Sequence, residues 1–474
     1  MSAEPNRTFS AELHGRFAAA SGDFNPMHMD AIAARRTAAG FPVVHGVHTL
    51  LWLLDWLATQ EPAAPCPQTL KARFRKMVYV GDSVRAEVQQ RSATALRARV
   101  LVGELEVLSL VLSGVAPERG ASPLAVADAV APVPARALDR AVADLPGSAG
   151  RLRFAAPRAA IGALFPAATR WLGEPRVAAL AAASALVGMV IPGLHSIFGG
   201  LDLQRTDEAD DGALAYAVRG ADERFGLVQM AIEGGGWRGA LDAVCRPRPV
   251  TQASMERALH EVRRDEFAPV TALIVGGSRG IGEVTAKLLA AGGAHVCITY
   301  RSGRADAEAV VADIVRHGGS AECLPYDVLQ PPEIQLQSLG RAITHLYYFP
   351  TPPIARRKSG LCDAQLLAEF TAYYLTGFHD LVRVCQARAQ AELRVFYPST
   401  VYVESRPAEL TEYAMIKAAG EVLCADLERF LRGVRILSVR LPRMATDQTA
   451  SLVPSEAADP VAVMLPLLRH ISNA

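Results

Sequence analysis

Charge of one sign is what this sequence most lacks. It has 49 Lys and Arg against 48 Asp and Glu over 474 residues, a net charge of +1. A surface without a dominant sign has no electrostatic footing for nucleic acid or an anionic membrane, so neither is expected as a partner. Cysteine is sparse too. The seven, at 66, 245, 297, 323, 362, 385 and 424, form no CxxC pair and no metal-ligand spacing. That excludes a disulfide scaffold and a zinc module, suits reduced thiols in a cytoplasm, and leaves no metal expected. The first residues, "MSAEPNRTFSAEL", carry charges and no apolar core, so neither a signal peptide nor a transit peptide is expected. Long apolar runs are absent but for "VAALAAASALVGMVIPGL" (177–194), 18 residues without a charge. Its alanines, with Gly188, Pro192 and Gly193 near the end, predict a core helix breaking into a tight loop, not a membrane span.

A chain of this length needs more than one core. Residues 1–117 form a first block, with helical periodicity in "HGVHTLLWLLDWLA" (45–58) followed by strand-like alternation. Residues 118–150, rich in Ala, Pro and Gly, are expected to be a linker. A second block, 151–252, repeats the order of one helix followed by several strands, which suggests two similar subdomains packed as a pseudo-dimer. After a second linker, 253–267, strand-like and helix-like segments alternate through 268–474, the pattern of a parallel sheet covered on both faces.

"SGDFNPMHMD" (21–30) gathers an acid, an amide and an imidazole around Pro26. A polar turn capping the next helix would explain the proline and asparagine. The longer stretch "FAAASGDFNPMHMDAIAARRTAAGFPVVHGVHTLLWLL" (17–54), with D-x-N-P-x-H followed seventeen residues later by His-Gly, resembles the MaoC-like, (R)-specific enoyl-thioester hydratase family. The resemblance implies a hot-dog fold and a catalytic pair, Asp23 and His28, positioned by Asn25. Moving water onto or off an α,β-double bond needs two proton transfers, which a carboxylate and an imidazole sharing a water can perform. The backbone N–H of Gly46, at a helix start, can stabilise the thioester enolate. The second block has "PGLHS" in place of "VVHG" and no D-x-N-P-x-H, so it is expected to be a non-catalytic half that lines an acyl tunnel.

"GGSRGIG" (276–282) follows the apolar strand "TALIV" and opens a helix. Gly276 permits a tight turn, Gly280 lets the backbone approach a pyrophosphate, and Gly282 allows close helix–strand packing. With "YAMIK", Tyr413 and Lys417 four apart on a helix, and "VFYPST" ahead of it, the block resembles the short-chain dehydrogenase/reductase family. That implies a Rossmann-type doubly wound sheet and NADP(H), bound by Gly276, Ser278, Arg279, Gly280, Ile281, Gly282, Arg301, Asp327, Val328, Tyr413 and Lys417. Arg301 stands where an NAD enzyme places an acid, and two guanidiniums can hold a 2′-phosphate. A lysine beside the phenol would lower its pKa and ready it to protonate a carbonyl. The catalytic hydroxyl is Ser399 or Thr400, with Ser399 slightly preferred on spacing. Three departures from the family pattern stand out: "FPTPP" (349–353) replaces Asn-Ala-Gly, Tyr374 occupies the position of a catalytic Asn, and Val275 that of a threonine.

The expected architecture is a multidomain chain, an α+β double hot-dog followed by an α/β Rossmann-type domain. The expected activity is NADPH-dependent 3-ketoacyl reduction with 3-hydroxyacyl dehydration, on an acyl-CoA or acyl carrier protein thioester, by a homo-oligomer. Two alternatives stay open: a hydratase whose reductase-like block is a nucleotide-binding or dimerisation platform, and a reductase whose hot-dog pair only binds acyl groups.

Overall fold

The computed structural model describes residues 5–116, 123–155, 157–207, 210–354, 360–449 and 456–473. The chain divides into two compact units between Arg248 and Pro249.

The first unit is built on an eleven-stranded sheet. Its strands are β1 (Asn6–Thr8), β2 (Thr69–Phe74), β3 (Ser83–Arg91), β4 (Ala95–Val102), β5 (Leu105–Ser113), β6 (Val130–Ala131), β7 (Ala149–Arg153), β8 (Ser196–Arg205), β9 (Ala213–Asp222), β10 (Leu227–Gly234) and β11 (Trp237–Cys245). Their order across the sheet is β1-β3-β4-β5-β2-β8-β11-β10-β9-β7-β6. The middle of the sheet is an antiparallel seam between β2 and β8, running from Thr69↔Gln204 to Arg73↔Gly200. Outward from it the order is β2-β5-β4-β3 on one side and β8-β11-β10-β9 on the other. Both halves therefore follow one strand path, each after a helix: Gly46–Gln60 before β2 and Glu174–Ala185 before β8. Alternation drives the strands. In β10, Val228, Met230 and Ile232 are buried while Gln229 between them is exposed.

The helix Gly46–Gln60 is buried from Val47 to Ala58 apart from Asp55, because helices Pro166–Leu172 and Glu174–Ala185 pack on it and the sheet completes its core. The apolar 177–194 run is helix up to Ala185 and then a π-turn, Leu186–Val190, and every residue from Val177 to Val190 is inside the core. Among the described residues no single helix is long and apolar enough to cross a membrane. The pair Pro166–Leu172 and Glu174–Val190 passes on length and composition with a 116° bend.

Both expected linkers contain structure. Residues 118–122 lie outside the described residues, but farther along the same stretch β6 and β7 join the sheet, where β7 pairs with β9 and buries Leu152. In the second, Ser254 caps helix Met255–Glu261, and buried Met255 and Ala258 pack it against helix Gly280–Ala291. Composition marked these stretches as loops, and tertiary contacts recruited them.

The second unit has six parallel strands: β12 (Thr271–Val275), β13 (His295–Tyr300), β14 (Ser320–Pro325), β15 (His345–Tyr348), β16 (Leu393–Thr400) and β17 (Val434–Leu441). Their order, β14-β13-β12-β15-β16-β17, reverses between β12 and β15. A doubly wound sheet opens its ligand crevice at that switch point, outside the carboxyl ends of the strands.

Candidate active sites

In the first unit, Asn25 organises the D-x-N-P-x-H loop. Its Oδ1 accepts from the Met27 amide at 3.0 Å, capping the short helix Pro26–Met29. Its Nδ2 donates to the carbonyls of Gly188 (2.7 Å), Gly193 (3.2 Å) and Leu194 (3.3 Å). The loop is thus tied to the π-turn of the second half. Asp23 sits in that junction, 2% exposed. Its carboxylate accepts from Ser184 Oγ at 2.7 Å and from the Asn25 amide at 3.2 Å. Burial raises its pKa, while the charge of His28 and these two hydrogen bonds oppose the rise. A carboxyl so placed holds its proton more readily than a solvated one, which suits proton transfer.

His28 donates Nδ1 to the Val43 carbonyl at 2.6 Å. A carbonyl only accepts, so the ring's Nε2 is left for chemistry. His45 stacks on it with centroids 3.9 Å apart, and its own Nε2 donates to the Asp23 carbonyl at 2.9 Å. His45 also ends the loop before helix Gly46–Gln60 without a side-chain cap, which keeps the first-turn amides, Gly46 among them, clear of a capping side chain. His14 and His48 complete a cluster of four imidazoles, and burial holds His14 down at about 4 and His45 and His48 well below the usual histidine range.

Sequence reasoning placed Asp23, Asn25, His28 and Gly46 here, and the fold brings them together. It missed Ser184 and Gly188, for which no local signal exists. A Cβ on Gly188 would lie 2.2 Å from Asp23 Oδ1, so only glycine lets the π-turn approach the carboxylate. Such bulges recur at functional sites. Gly188→Ala should therefore displace Asp23 and slow proton transfer at this site by about 10²-fold or more, with Ser184→Ala costing less. Steady-state rates beside thermal melting curves check this, and an unimpaired Gly188→Ala enzyme would refute the role given to the junction.

The second unit collects its predicted residues at the carboxyl ends of β12 to β16. Gly276 (φ +79°) turns the chain out of β12, and Gly280 (φ +59°) starts helix Gly280–Ala291. A Cβ on Gly282 would lie 2.3 Å from the Gly276 carbonyl, whereas one on Gly280 would come no nearer than 3.8 Å to any atom, so the packing face is tight and the other is open. Arg279 caps that helix by backbone alone, which leaves amides able to meet a phosphate. Its guanidinium lies 3.5 Å from Asp447 Oδ2. Ser278 is buried in the loop, and Ile281 packs on the core. Arg301, exposed just past β13, hydrogen-bonds the Tyr373 hydroxyl. Asp327 accepts from the Leu329 amide and is held by Gln335, with Val328 buried beside it.

Tyr413 and Lys417 share a face of helix Thr411–Phe430. Thr400 is the neighbour that draws the Tyr413 phenol's pKa down against burial. Ser399 instead donates to Glu421 Oε1 at 2.5 Å, and Glu421 is paired with Arg440. Successive strand residues face opposite ways, so only one hydroxyl can meet Tyr413. That leaves Thr400, the alternative kept open beside the slightly preferred Ser399, on the other face of the strand. One expectation fails: the phenol is raised, not lowered, because burial outweighs the contribution of Thr400.

Lys417 Nζ donates to the Pro398 carbonyl at 2.6 Å and lies 4.1 Å from the Tyr374 ring centre, 4.8 Å from Tyr397 and 5.7 Å from Tyr413. Burial brings its ammonium down to about 7. Tyr374, on the π-turn Ala372–Thr376, shares a hydrogen bond with Thr351 of the "FPTPP" stretch. The two departures from the family pattern therefore meet at one place beside the lysine.

A sequence model described as a MaoC like domain matches residues 1–110, and one described as short chain dehydrogenase matches residues 270–345. The chain is similar to an (R)-specific enoyl-CoA hydratase of Aeromonas caviae, 39% identical over 95 residues, covering 19% of this chain and 67% of that protein. It is also similar to a 3-oxoacyl-[acyl-carrier-protein] reductase of Synechocystis sp., 29% identical over 213 residues, covering 42% of this chain and 82% of that protein. Among solved structures, an angucycline C-6 ketoreductase with bound NADP aligns at 19% identity with a TM-score of 0.39, over 44% of this chain and 90% of that one.

Proposed function

Because the chain belongs to the MaoC-like dehydratase family at its N-terminus and to the short-chain dehydrogenase family at its C-terminus, we propose that it is a bifunctional acyl-thioester enzyme. The C-terminal domain reduces a 3-ketoacyl thioester with NADPH, and the N-terminal domain dehydrates the 3-hydroxyacyl product to the 2-enoyl thioester. The carrier is coenzyme A or an acyl carrier protein. The N-terminal unit is a double hot-dog whose second half lacks the D-x-N-P-x-H segment and instead buries Asp23 through Ser184 and the Leu186–Val190 turn.

The observation that carries the dehydratase reading is the buried Asp23 beside a histidine whose Nδ1 is committed to a backbone carbonyl. In dehydration the Cα–H bond breaks and its proton goes to one member of the pair. The C3–O bond breaks as the other member gives a proton to the departing hydroxide, which leaves as water. The Gly46 amide, at the positive end of its helix, stabilises the enolate oxygen between these events.

In the reductase domain the Gly276–Gly282 turn fits a dinucleotide: open above Gly280, tight at Gly282, and without a side-chain cap on the helix. NADP(H), when bound, supplies the hydride. Tyr413 holds the proton that the carbonyl oxygen takes up, Thr400 orients that phenol, and Lys417 restores positive charge beside it. Arg279 and Arg301 hold the 2′-phosphate. Arg301→Asp removes one phosphate partner and adds repulsion, so cofactor preference should swing toward NADH. Equal affinity of the unaltered protein for NADH and NADPH, measured by fluorescence titration, would remove this assignment.

A second reading rests on Tyr374 and Thr351, which replace the family's usual groups at the lysine. On it, the C-terminal domain binds nucleotide without turnover. One experiment separates the two: purified protein with a 3-ketoacyl thioester and NADPH, with absorbance reporting cofactor oxidation and mass spectrometry the enoyl product. Both signals support the bifunctional enzyme. Dehydration of added 3-hydroxyacyl thioester without NADPH oxidation supports the platform.

A further inference from the structure

We propose that His14, His28 and His45 form a binding site for a divalent transition ion of zinc type, and that the ion, when bound, shuts off dehydration. The spacing of these residues in sequence matches no metal motif, and only folding brings them together. One ring nitrogen from each lies within 4.8 Å of those of the other two.

Each ring also commits one nitrogen to a backbone carbonyl. His14 Nε2 donates to the His28 carbonyl at 3.2 Å, His28 Nδ1 to Val43 at 2.6 Å, and His45 Nε2 to Asp23 at 2.9 Å. That bond fixes the tautomer, orients the ring and frees a lone pair on the remaining nitrogen, which is how metal-ligating histidines are usually held.

The remaining nitrogens supply an independent observation. His14 is 3% exposed and His45 fully buried, and Nδ1 of each has no hydrogen-bond partner. Buried polar atoms are as a rule satisfied. Two unpartnered nitrogens on neighbouring rings, 4.6 Å apart between centroids, leave lone pairs that an ion can satisfy.

Three imidazole ligands favour zinc, cobalt or nickel over calcium or magnesium, which prefer oxygen ligands. Three histidines with a fourth position for water is a familiar zinc geometry, with Zn–N bonds of about 2.0–2.1 Å. Nitrogens up to 4.8 Å apart must close to reach it, so the carbonyl bonds set the starting orientation and lengthen as the rings shift onto the ion. His28 cannot both ligate an ion through its free nitrogen and carry a proton through it, so occupancy and dehydration exclude each other.

Cobalt(II) tests the site without any thioester, so the result is independent of the proposed reactions. The untagged full chain, stripped with a chelator, should bind one Co(II) per chain in equilibrium dialysis. It should also develop visible absorption bands of low-coordinate cobalt, which Zn(II) bleaches by displacement. His14→Gln should weaken binding by about tenfold or more, and His14→Cys, which restores a ligand, should recover it. If His14→Gln fails to fold, His28→Ala is read the same way. A wild-type protein that takes up no stoichiometric cobalt overturns the proposal, which would leave water as the occupant. Undiminished binding in His14→Gln overturns it as well, since the ion would then lie elsewhere.

Discussion

Dehydration of a 3-hydroxyacyl thioester should fall by about 10²-fold or more in Asp23→Asn and in His28→Ala, with NADPH oxidation on a 3-ketoacyl thioester nearly unchanged. The split follows from the architecture, because Asp23 and His28 lie in the unit that ends at Arg248 and the dinucleotide turn lies in the other. Asp23→Asn keeps the shape but cannot take up a proton. Its amide oxygen can still accept from the Asn25 amide, while its NH2 can donate to a Ser184 hydroxyl turned to accept, so a melting curve beside the rate separates chemistry from folding. His28→Ala removes the ring whose Nδ1 is anchored on Val43. It also releases the stacking partner of His45, so its melting curve belongs beside its rate. Wild-type dehydration by either variant would return the 21–30 loop to a capped turn.

Tyr413→Phe should abolish reduction while NADPH still binds, because the ring remains and only the proton donor is lost. Thr400→Val should cost roughly 10²-fold or more, as removal of an oxyanion-type donor does, and Ser399→Ala should cost little activity. The asymmetry comes from the strand: neighbouring residues face opposite ways, and Ser399 is held by Glu421, itself paired with Arg440, which leaves Thr400 for the phenol. Ser399→Ala leaves that ion pair in place, so its effect should be confined to stability. If Thr400→Val and Ser399→Ala both reduce at the wild-type rate, the hydroxyl–tyrosine–lysine mechanism is wrong even with the fold unchanged. A wild-type protein that never oxidises NADPH would instead favour the platform reading. Thr351 and Tyr374 would then be the first residues to exchange for the family's own.

The chemistry-bearing motifs were legible from sequence because each is local. A proline-braced loop places an acid and an imidazole within six residues, a glycine turn after an apolar strand exposes helix amides, and i,i+4 spacing puts Tyr413 and Lys417 on one helical face. Alternation of strand and helix likewise announced the doubly wound sheet. The linkers were misjudged because composition reports backbone preference and not what a neighbouring strand or helix will pair with. Ser399 and Thr400 both stayed open because spacing along the chain does not say which face of β16 turns toward the phenol.

Burial and long-range contact were decided only in three dimensions. Ser184 is 161 residues from the Asp23 carboxylate it bonds, and Gly188 is glycine because that carboxylate presses against it. The aromatic surround of Lys417 combines rings from two helices and a strand. Sequence by itself determined which groups could move protons and hold phosphates, since short-range backbone geometry sets those arrangements. Packing decided which groups are desolvated, which hydroxyl of β16 faces Glu421 and which distant residues hold Asp23 in place. Those properties depend on atoms that the chain brings together only when its cores close.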